Sequence, residues 1–335
     1  MGTRYDSLLA RALAGEILDR WRGVRIAGLR MAPGRRAVEL AFEDGSRLVA
    51  MLHPLHGYIL ELGADAPASG VEGKALRVGR LSLVDARAPA DERALLLTFG
   101  DRAGRPWEML AIELPTRRRN ALHCRRAEEA GAASEPAEPD PAASDPAEPD
   151  PAASDPAASD PAESDPAESD AEGPGADPRP AWRIEAALIA RDAGDRSLRR
   201  GARYVPPSSA RRAVGEPPSE AEWAAVLAEG EADRRRAVLR TWAWTSALNV
   251  DWILAESDPA ETYARYCALH ALAAAASRGP AASDAPGPPR RPAFVLDRPS
   301  GPQPYPHPAG AGSGPAAGLL TAAWKLLAPG GGPAP

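Results

Sequence analysis

The sequence predicts an α+β fold: a β-rich N-terminal domain braced by one helix, followed by a small helical domain. Three observations predict it. A single amphipathic stretch opens the chain, a train of short apolar segments bounded by turn residues follows it, and the periodicity becomes helical from Ser219 onward.

The opening stretch, residues 5–22, places Leu8, Leu9, Ala12, Leu13, Ile17, Leu18 and Trp21 on one helical stripe, and Gly23 stops it. Short strands are then expected at residues 24–31, 37–42, 48–53 and 58–62. Glu43-Asp44-Gly45-Ser46 is a hairpin turn between the second and third, because Gly45 can take a positive φ. A weakly helical stretch is expected near Gly73, then strands at 81–86, 93–99, 107–114 and 120–124. Residues 184–190 read as one more strand, inferred to pair with 120–124. Pro206-Pro207 closes the β-rich part. Ser219 is placed as an N-cap of a helix starting Glu220-Ala221-Glu222, and helices are expected at 234–246, 250–255, 260–275 and 316–327.

Between the paired strands lies a segment of another kind. Residues 127–178 hold sixteen Asp and Glu, eleven Pro and no Lys or Arg, with Asp140, Asp145, Asp150, Asp155, Asp160, Asp165 and Asp170 every five residues. A period of five suits neither helix nor strand, and such a composition buries too little apolar surface to offset its ordering. The expectation is a disordered linker inserted in a hairpin loop, whose closure entropy grows slowly enough to permit it. Composition favours a plain surface insertion; a nucleic-acid mimic folding back over a basic surface is the other reading. The domain plan is therefore 1–126 plus 179–212 for the β-rich domain, 127–178 for the insertion and 213–335 for the helical domain.

The insertion distorts the charge balance. The chain carries a net −6, and setting aside the −16 of the repeat leaves +10 on the other 283 residues. A basic foldable part is the electrostatic footprint of a nucleic-acid partner. Other classes are excluded one by one. No run of eighteen apolar residues predicts a membrane span, and the opening residues, charged at Arg4, Asp6 and Arg11, form no signal peptide. Asp6 stands where a myristoylation signal needs Ser or Thr. Cys124 and Cys267 are too few for a disulfide framework or a zinc site, so a reduced, cytoplasmic protein is expected. His53 and His56 straddle Pro54 in a poor metal spacing, and Cys267, His270, Trp242, Trp244 and Trp252 read as helical core. No Gly-x-Ser-x-Gly and no P-loop is present, so no catalytic residue, metal or cofactor is assigned.

Several motifs in order resemble the NFACT family, historically called fibronectin-binding protein A-like and now known as ribosome-associated quality-control factors. They are Tyr5-Asp6-Ser7-Leu8-Leu9 with Glu16-Ile17, Gly23-Val24-Arg25-Ile26, Leu52-His53-Pro54, Glu92-Arg93 before Leu95-Leu96-Leu97, and Ile112-Glu113-Leu114. Arg119-Asn120-Ala121-Leu122, Gly201-Ala202-Arg203-Tyr204-Val205-Pro206-Pro207 and Tyr305-Pro306-His307-Pro308 extend the match. The resemblance covers nearly all the chain outside the insertion. It implies an NFACT-N type domain and, as partners, tRNA and a stalled large ribosomal subunit, with rRNA contact. The family's Asp-Arg pair corresponds to Glu92-Arg93, and its Glu-Ile-Met triplet to Glu113-Leu114-Pro115. Glu92 keeps the charge with a longer stem, and Pro115 removes a backbone donor. The family continues into a coiled coil and a further RNA-binding domain about where this chain stops, so alanine tailing is not carried over.

The expected function is RNA binding without enzyme activity. Glu92, Arg93, Glu113 and Leu114 with the arginine cluster are the candidate residues: Arg93 grips backbone or base, Glu113 accepts from a base or ribose edge, and Arg117, Arg118 and Arg119 beside Glu113 supply counterion release. Arg196, Arg199, Arg200, Arg211 and Arg212 form a second basic region. Arg234-Arg235-Arg236 opens a helix, where cations oppose the dipole. Two alternatives stand. A glycosylase-fold binder would lack its N-terminal proline, since Met1 precedes Gly2. A surface adhesin would need an export route. Oligomeric state is not encoded in any pattern found.

Overall fold

A computed structural model of the protein describes residues 4–89, 91–115, 118–127, 181–207, 216–228, 231–277, 293–296, 303–306, 312–316 and 319. The architecture is α+β. Helix α1, Ser7–Trp21, begins where Asp6, in extended conformation, accepts a hydrogen bond from the Leu9 amide at 2.7 Å. It ends before Gly23, whose φ of +77° lets the chain reverse. Trp21, fully buried, stacks on Phe42 at 4.6 Å and donates its indole N–H to Ser46 Oγ at 2.7 Å.

Ten strands build two antiparallel five-stranded sheets. The first comprises β1 (Ile26–Ala32), β2 (Ala37–Phe42), β3 (Arg47–Met51), β4 (Tyr58–Leu62) and β5 (Lys74–Leu76), in the order β4-β3-β2-β1-β5. The hairpin at Gly45 forms as the sequence predicts, with φ +81° and the Asp44 carboxylate accepting from the Ser46 amide. The stretch near Gly73 is not helical. It is the lead into β5, because the chain presses so close to β1 that a Cβ at Gly73 would lie 2.3 Å from the Met31 carbonyl oxygen. Backbone proximity to a strand edge, not local periodicity, decides this segment.

The second sheet comprises β6 (Ser82–Arg87), β7 (Ala94–Gly100), β8 (Pro106–Glu113), β9 (Asn120–Arg126) and β10 (Trp182–Ala187), in the order β10-β9-β8-β7-β6. The expected pairing across the acidic repeat is present, with Cys124 opposite Ile184 and Leu122 opposite Ala187. The repeat itself lies outside the described residues. Helix α1 packs on β6 and β7. Its Leu8, Leu13 and Ile17 share one core with Leu95, Leu97 and Ile112. After β10 a small hairpin, β11 (Asp192–Ala193) and β12 (Arg196–Ser197), turns at Gly194 with φ +67°.

The helical part comprises α2 (Glu220–Leu227), α3 (Glu231–Thr241), α4 (Val250–Ile253) and α5 (Pro259–Ser277). Ser219 caps α2 in a reciprocal capping box with Glu222. Arg234, Arg235 and Arg236 do not open α3, which begins at Glu231: Arg234 ends its first turn and the other two fall in the second, where the dipole opposes cations less. Arg234 donates to the Leu227 carbonyl and Arg235 to Asp251. Trp223, Trp242, Trp244 and Tyr266 bury an aromatic cluster between α2, α3 and α5. A short sheet, β13 (Ala293–Leu296), β14 (Gln303–Tyr305) and β15 (Gly312–Ala316), follows. Of the helix expected at 316–327, Ala316 instead ends β15, Leu319 is helical, and the rest lies outside the described residues. Among the described residues no helix is long and apolar enough to cross a membrane.

Two buried carboxylates join these parts. Asp6 accepts from Ser246 Oγ at 2.6 Å and from the Tyr305 hydroxyl at 2.7 Å, while Asn249 Nδ2 donates to Tyr305 at 3.0 Å. Asp91 accepts from the Ser7 hydroxyl and from the Trp244 amide at 2.9 Å. Burial raises Asp6 above its ordinary carboxylate value, against the lowering effect of its hydrogen bonds. The folded state therefore keeps this proton to a higher pH than the unfolded chain. The Asp6 contribution to stability is complete below 3.8 and declines as pH rises through the raised value. Urea unfolding across pH 4–7 should show Asp6→Asn gaining on the wild type as pH increases. Asp6→Ala should cost about 2–4 kcal/mol, by loss of the cap and of two hydroxyl partners.

Candidate functional site

The register of β7 and β8 brings together two sequence signatures twenty residues apart. Ala94 pairs with Glu113, and the Leu114 amide donates to the Arg93 carbonyl at 2.7 Å. Arg93 and Glu113 therefore emerge side by side at one end of the second sheet, next to the N-terminus of α1. Here a cleft of about 840 Å³ opens, lined by Glu92, Arg93, Glu113, Pro115 and Arg118. Arg4, Tyr5, Asp6 and Ser7 contribute from the start of α1, Arg191 and Arg196 from the β11–β12 region, and Ser246 to Leu248 from the helical part.

Five arginines thus face one cleft. Of its four acids, Asp6 and Asp91 belong to the buried network, and Glu113, 3% exposed, is bound by Arg196 Nη2 at 2.5 Å. Arg196 is further fixed by donating to the Val205 carbonyl at 2.7 Å and by lying over the Tyr204 ring. Burial pushes the Tyr204 hydroxyl well above its ordinary value, reinforced by the charge of Glu113. Arg191 donates to the Arg118 carbonyl at 2.7 Å, and its buried Nε has no hydrogen-bond partner among the described residues. Burial lowers the Arg191 pKa, and the neighbouring charges of Arg118, Arg36 and Arg196 lower it further against the pull of Glu113. Asn120, fully buried, holds the approach to Arg191: its side chain donates to the Ile189 carbonyl and accepts from the Ile189 amide, both at 2.9 Å.

Some predicted site residues are placed elsewhere. Leu114 is fully buried in the main core and offers no surface to a ligand. Arg119 is 2% exposed: its Nη1 donates to the His53 carbonyl at 2.9 Å, and its guanidinium lies over the Tyr5 ring at 5.4 Å. It is a strut that ties the start of β9 to the loop after β3, held inward by its hydrogen bond and ring contact while Arg118 stays exposed. Gly57 makes room for it, as a Cβ there would overlap Nη1. Glu113 lines the cleft but is spent on Arg196, so it orients an arginine instead of accepting from a ligand. Pro115 costs the sheet no bond, because the last β7–β8 hydrogen bond is made by Leu114. Arg117, Arg211 and Arg212 lie outside the described residues. Arg199 pairs with Asp192 at 3.1 Å and Arg200 with Glu185 at 3.9 Å, away from the cleft residues. Sequence reasoning missed Arg4 and Arg191, which stand in no cluster; only the pairing of β9 with β10 brings Arg191 round.

The sequence matches no known protein family and no curated protein. Among solved structures the fold is similar to the fibrinogen binding protein from Staphylococcus aureus, at 11% identity over 90% of this chain and 89% of that one, with a TM-score of 0.48. It is also similar to the N-terminal domain of fibronectin-binding protein PavA from Streptococcus pneumoniae, at 13% identity over 96% and 98%, with a TM-score of 0.42. Likenesses at this level say nothing of what the chain binds.

The neighbouring arginines should separate cleanly in a stability measurement. Arg119→Ala should lower unfolding free energy by about 2–3 kcal/mol, since it strands the His53 carbonyl and empties the space beside Tyr5. Arg118→Ala should stay within about 0.5 kcal/mol of wild type by the same denaturant titration.

Proposed function

We propose that the protein binds RNA in this cleft, as a tRNA- and large-subunit-contacting factor of the ribosome-associated quality-control kind. The observation that carries the reading is the convergence of Arg4, Arg93, Arg118, Arg191 and Arg196 on one cleft whose carboxylates are mostly bound within the protein. Guanidinium groups match phosphate oxygens bidentately and stack on bases, and each phosphate neutralised releases counterions. The unspent Nε of Arg191 supports a ligand oxygen as its partner. Arg196, fixed by Glu113 and Tyr204, is pre-oriented and loses little freedom on binding. Glu92, half-buried beside Arg93, is suited to accept from a 2′-hydroxyl or a base amino group, which phosphate contacts alone do not read.

The test is the salt dependence of tRNA binding by the full chain, followed by anisotropy. The Arg93→Ala, Arg191→Ala double variant should bind roughly tenfold or more weakly, with a log–log salt slope shallower by about 1.5–2. A wild-type affinity that ignores salt, or an unchanged slope in the variant, would rule the reading out. Glu92→Gln should leave the slope intact while narrowing the preference for RNA over DNA of the same sequence.

A further inference from the structure

The opposite end of the second sheet carries a charge pattern that the cleft does not use. Arg125 on β9 stands directly opposite Arg183 on β10, and Arg183 is bridged in turn to Arg203. All three side chains are exposed. Like charges placed opposite one another across strands destabilise a sheet, and neighbouring strands are only about 4.8 Å apart. Among the described residues the acids nearest this row in the ladder are Glu108 and Glu185. Glu108 pairs with Arg125 at 3.5 Å through one carboxylate oxygen while the other contacts His123 at 3.0 Å, and Glu185 turns to Arg200, so Arg183 and Arg203 have no ion pair among the described residues. Arg183 spends one N–H on the Gly201 carbonyl, and Arg203 has no hydrogen bond or ion pair among the described side chains.

An aromatic residue adjoins the row. Trp107 precedes Glu108, the residue of β8 that pairs with Arg125. Its indole N–H is held by Asp101 at 3.1 Å, while 41% of the residue remains exposed. Asp101 is itself fixed by the amides of Ala103 and Arg105. A tethered, solvent-facing indole on the strand next to Arg125 suits an unpaired base whose phosphates lie along the row of arginines. An acidic peptide would satisfy the arginines and leave the indole without a role.

We propose that Arg125, Arg183 and Arg203, with Trp107, form a second RNA contact that takes single-stranded RNA by its phosphodiester backbone and one stacked base. The proposal rests on the RNA reading of the cleft for its class of ligand, but not on the cleft's residues. From Asn120, at the cleft end of β9, to Arg125 is about 17 Å along the strand. Separate parts of one RNA can therefore reach both.

Titration of the full chain with a fluorescent oligouridylate and, in parallel, with tRNA separates the two sites. The Arg183→Ala, Arg203→Ala double variant should weaken oligouridylate binding about tenfold or more and flatten its salt slope by about 1.4. Trp107→Ala should weaken it roughly ten- to hundredfold, with Trp107→Phe partly restoring it. The Arg93→Ala, Arg191→Ala variant should lose tRNA affinity and keep oligouridylate affinity within about twofold. Oligouridylate binding that is absent, or indifferent to the Arg183, Arg203 and Trp107 substitutions, overturns the proposal even where tRNA binding still depends on the cleft. Polyaspartate that binds as tightly as oligouridylate, with no effect of Trp107→Ala, overturns it in favour of an acidic protein partner. Failure of the cleft variant alone to affect tRNA counts against the cleft reading and leaves the second contact supported.

Discussion

Two carboxylates buried where three parts of the chain meet determine how this protein is assembled. A buried acid is costly unless its oxygens are satisfied, and Asp6 meets that condition only with donors from α1, the helical part and the β13–β14 region together. Asp91 uses one oxygen, Oδ1, to accept from both α1 and the turn at Trp244. Neither acid has an apolar substitute, because Asp6 holds donors from three segments and Asp91 donors from two. The cleft is a by-product of this join: its floor is the network, and its rim consists of whatever the joined segments present. On this rim the segments present arginines.

The arginines of the molecule divide by what holds them. Arg119 and Arg234 donate to backbone carbonyls of other elements, and Arg11 lies over the Trp244 ring at 4.6 Å; these knit the fold. Arg199 and Arg235 sit in exposed ion pairs of small energetic weight. Arg93, Arg118 and Arg191 gather at one end of the second sheet, and Arg125, Arg183 and Arg203 at the other. Two groups of arginines thus stand at the two ends of one set of strands.

Much of the fold was legible because its signals were local. The stripe from Leu8 to Trp21, the turn at Gly45 and the Ser219 cap each act within a few residues, and each is where the sequence predicted it. The lead into β5 was misread because its conformation is imposed by Met31, some forty residues earlier. The short sheet of β13–β15 was missed, since its strands are short and β14 and β15 carry prolines and glycines. For the site, Glu92, Arg93 and Glu113 were legible as neighbours of strands, and the β7–β8 register brought them together. Leu114 and Arg119 were misassigned for one reason: each lies just beyond a strand end, and proximity in sequence to exposed neighbours does not decide which side chains the core takes. Arg191 was illegible, since it reaches the cleft only through strand pairing across the acidic repeat.

Trp244 occupies a left-handed conformation, φ +64°, that a bulky side chain rarely adopts. The same Asp91 that fixes its amide immediately precedes Glu92 and Arg93 in sequence. Sequence drift in the cleft-facing stretch therefore cannot proceed independently of folding: a shift that re-aims Arg93 also loosens the clasp on a strained turn. Such a site would evolve slowly at its centre, and new specificity would arise more readily at its outlying contributors, Arg118 and the β11–β12 hairpin.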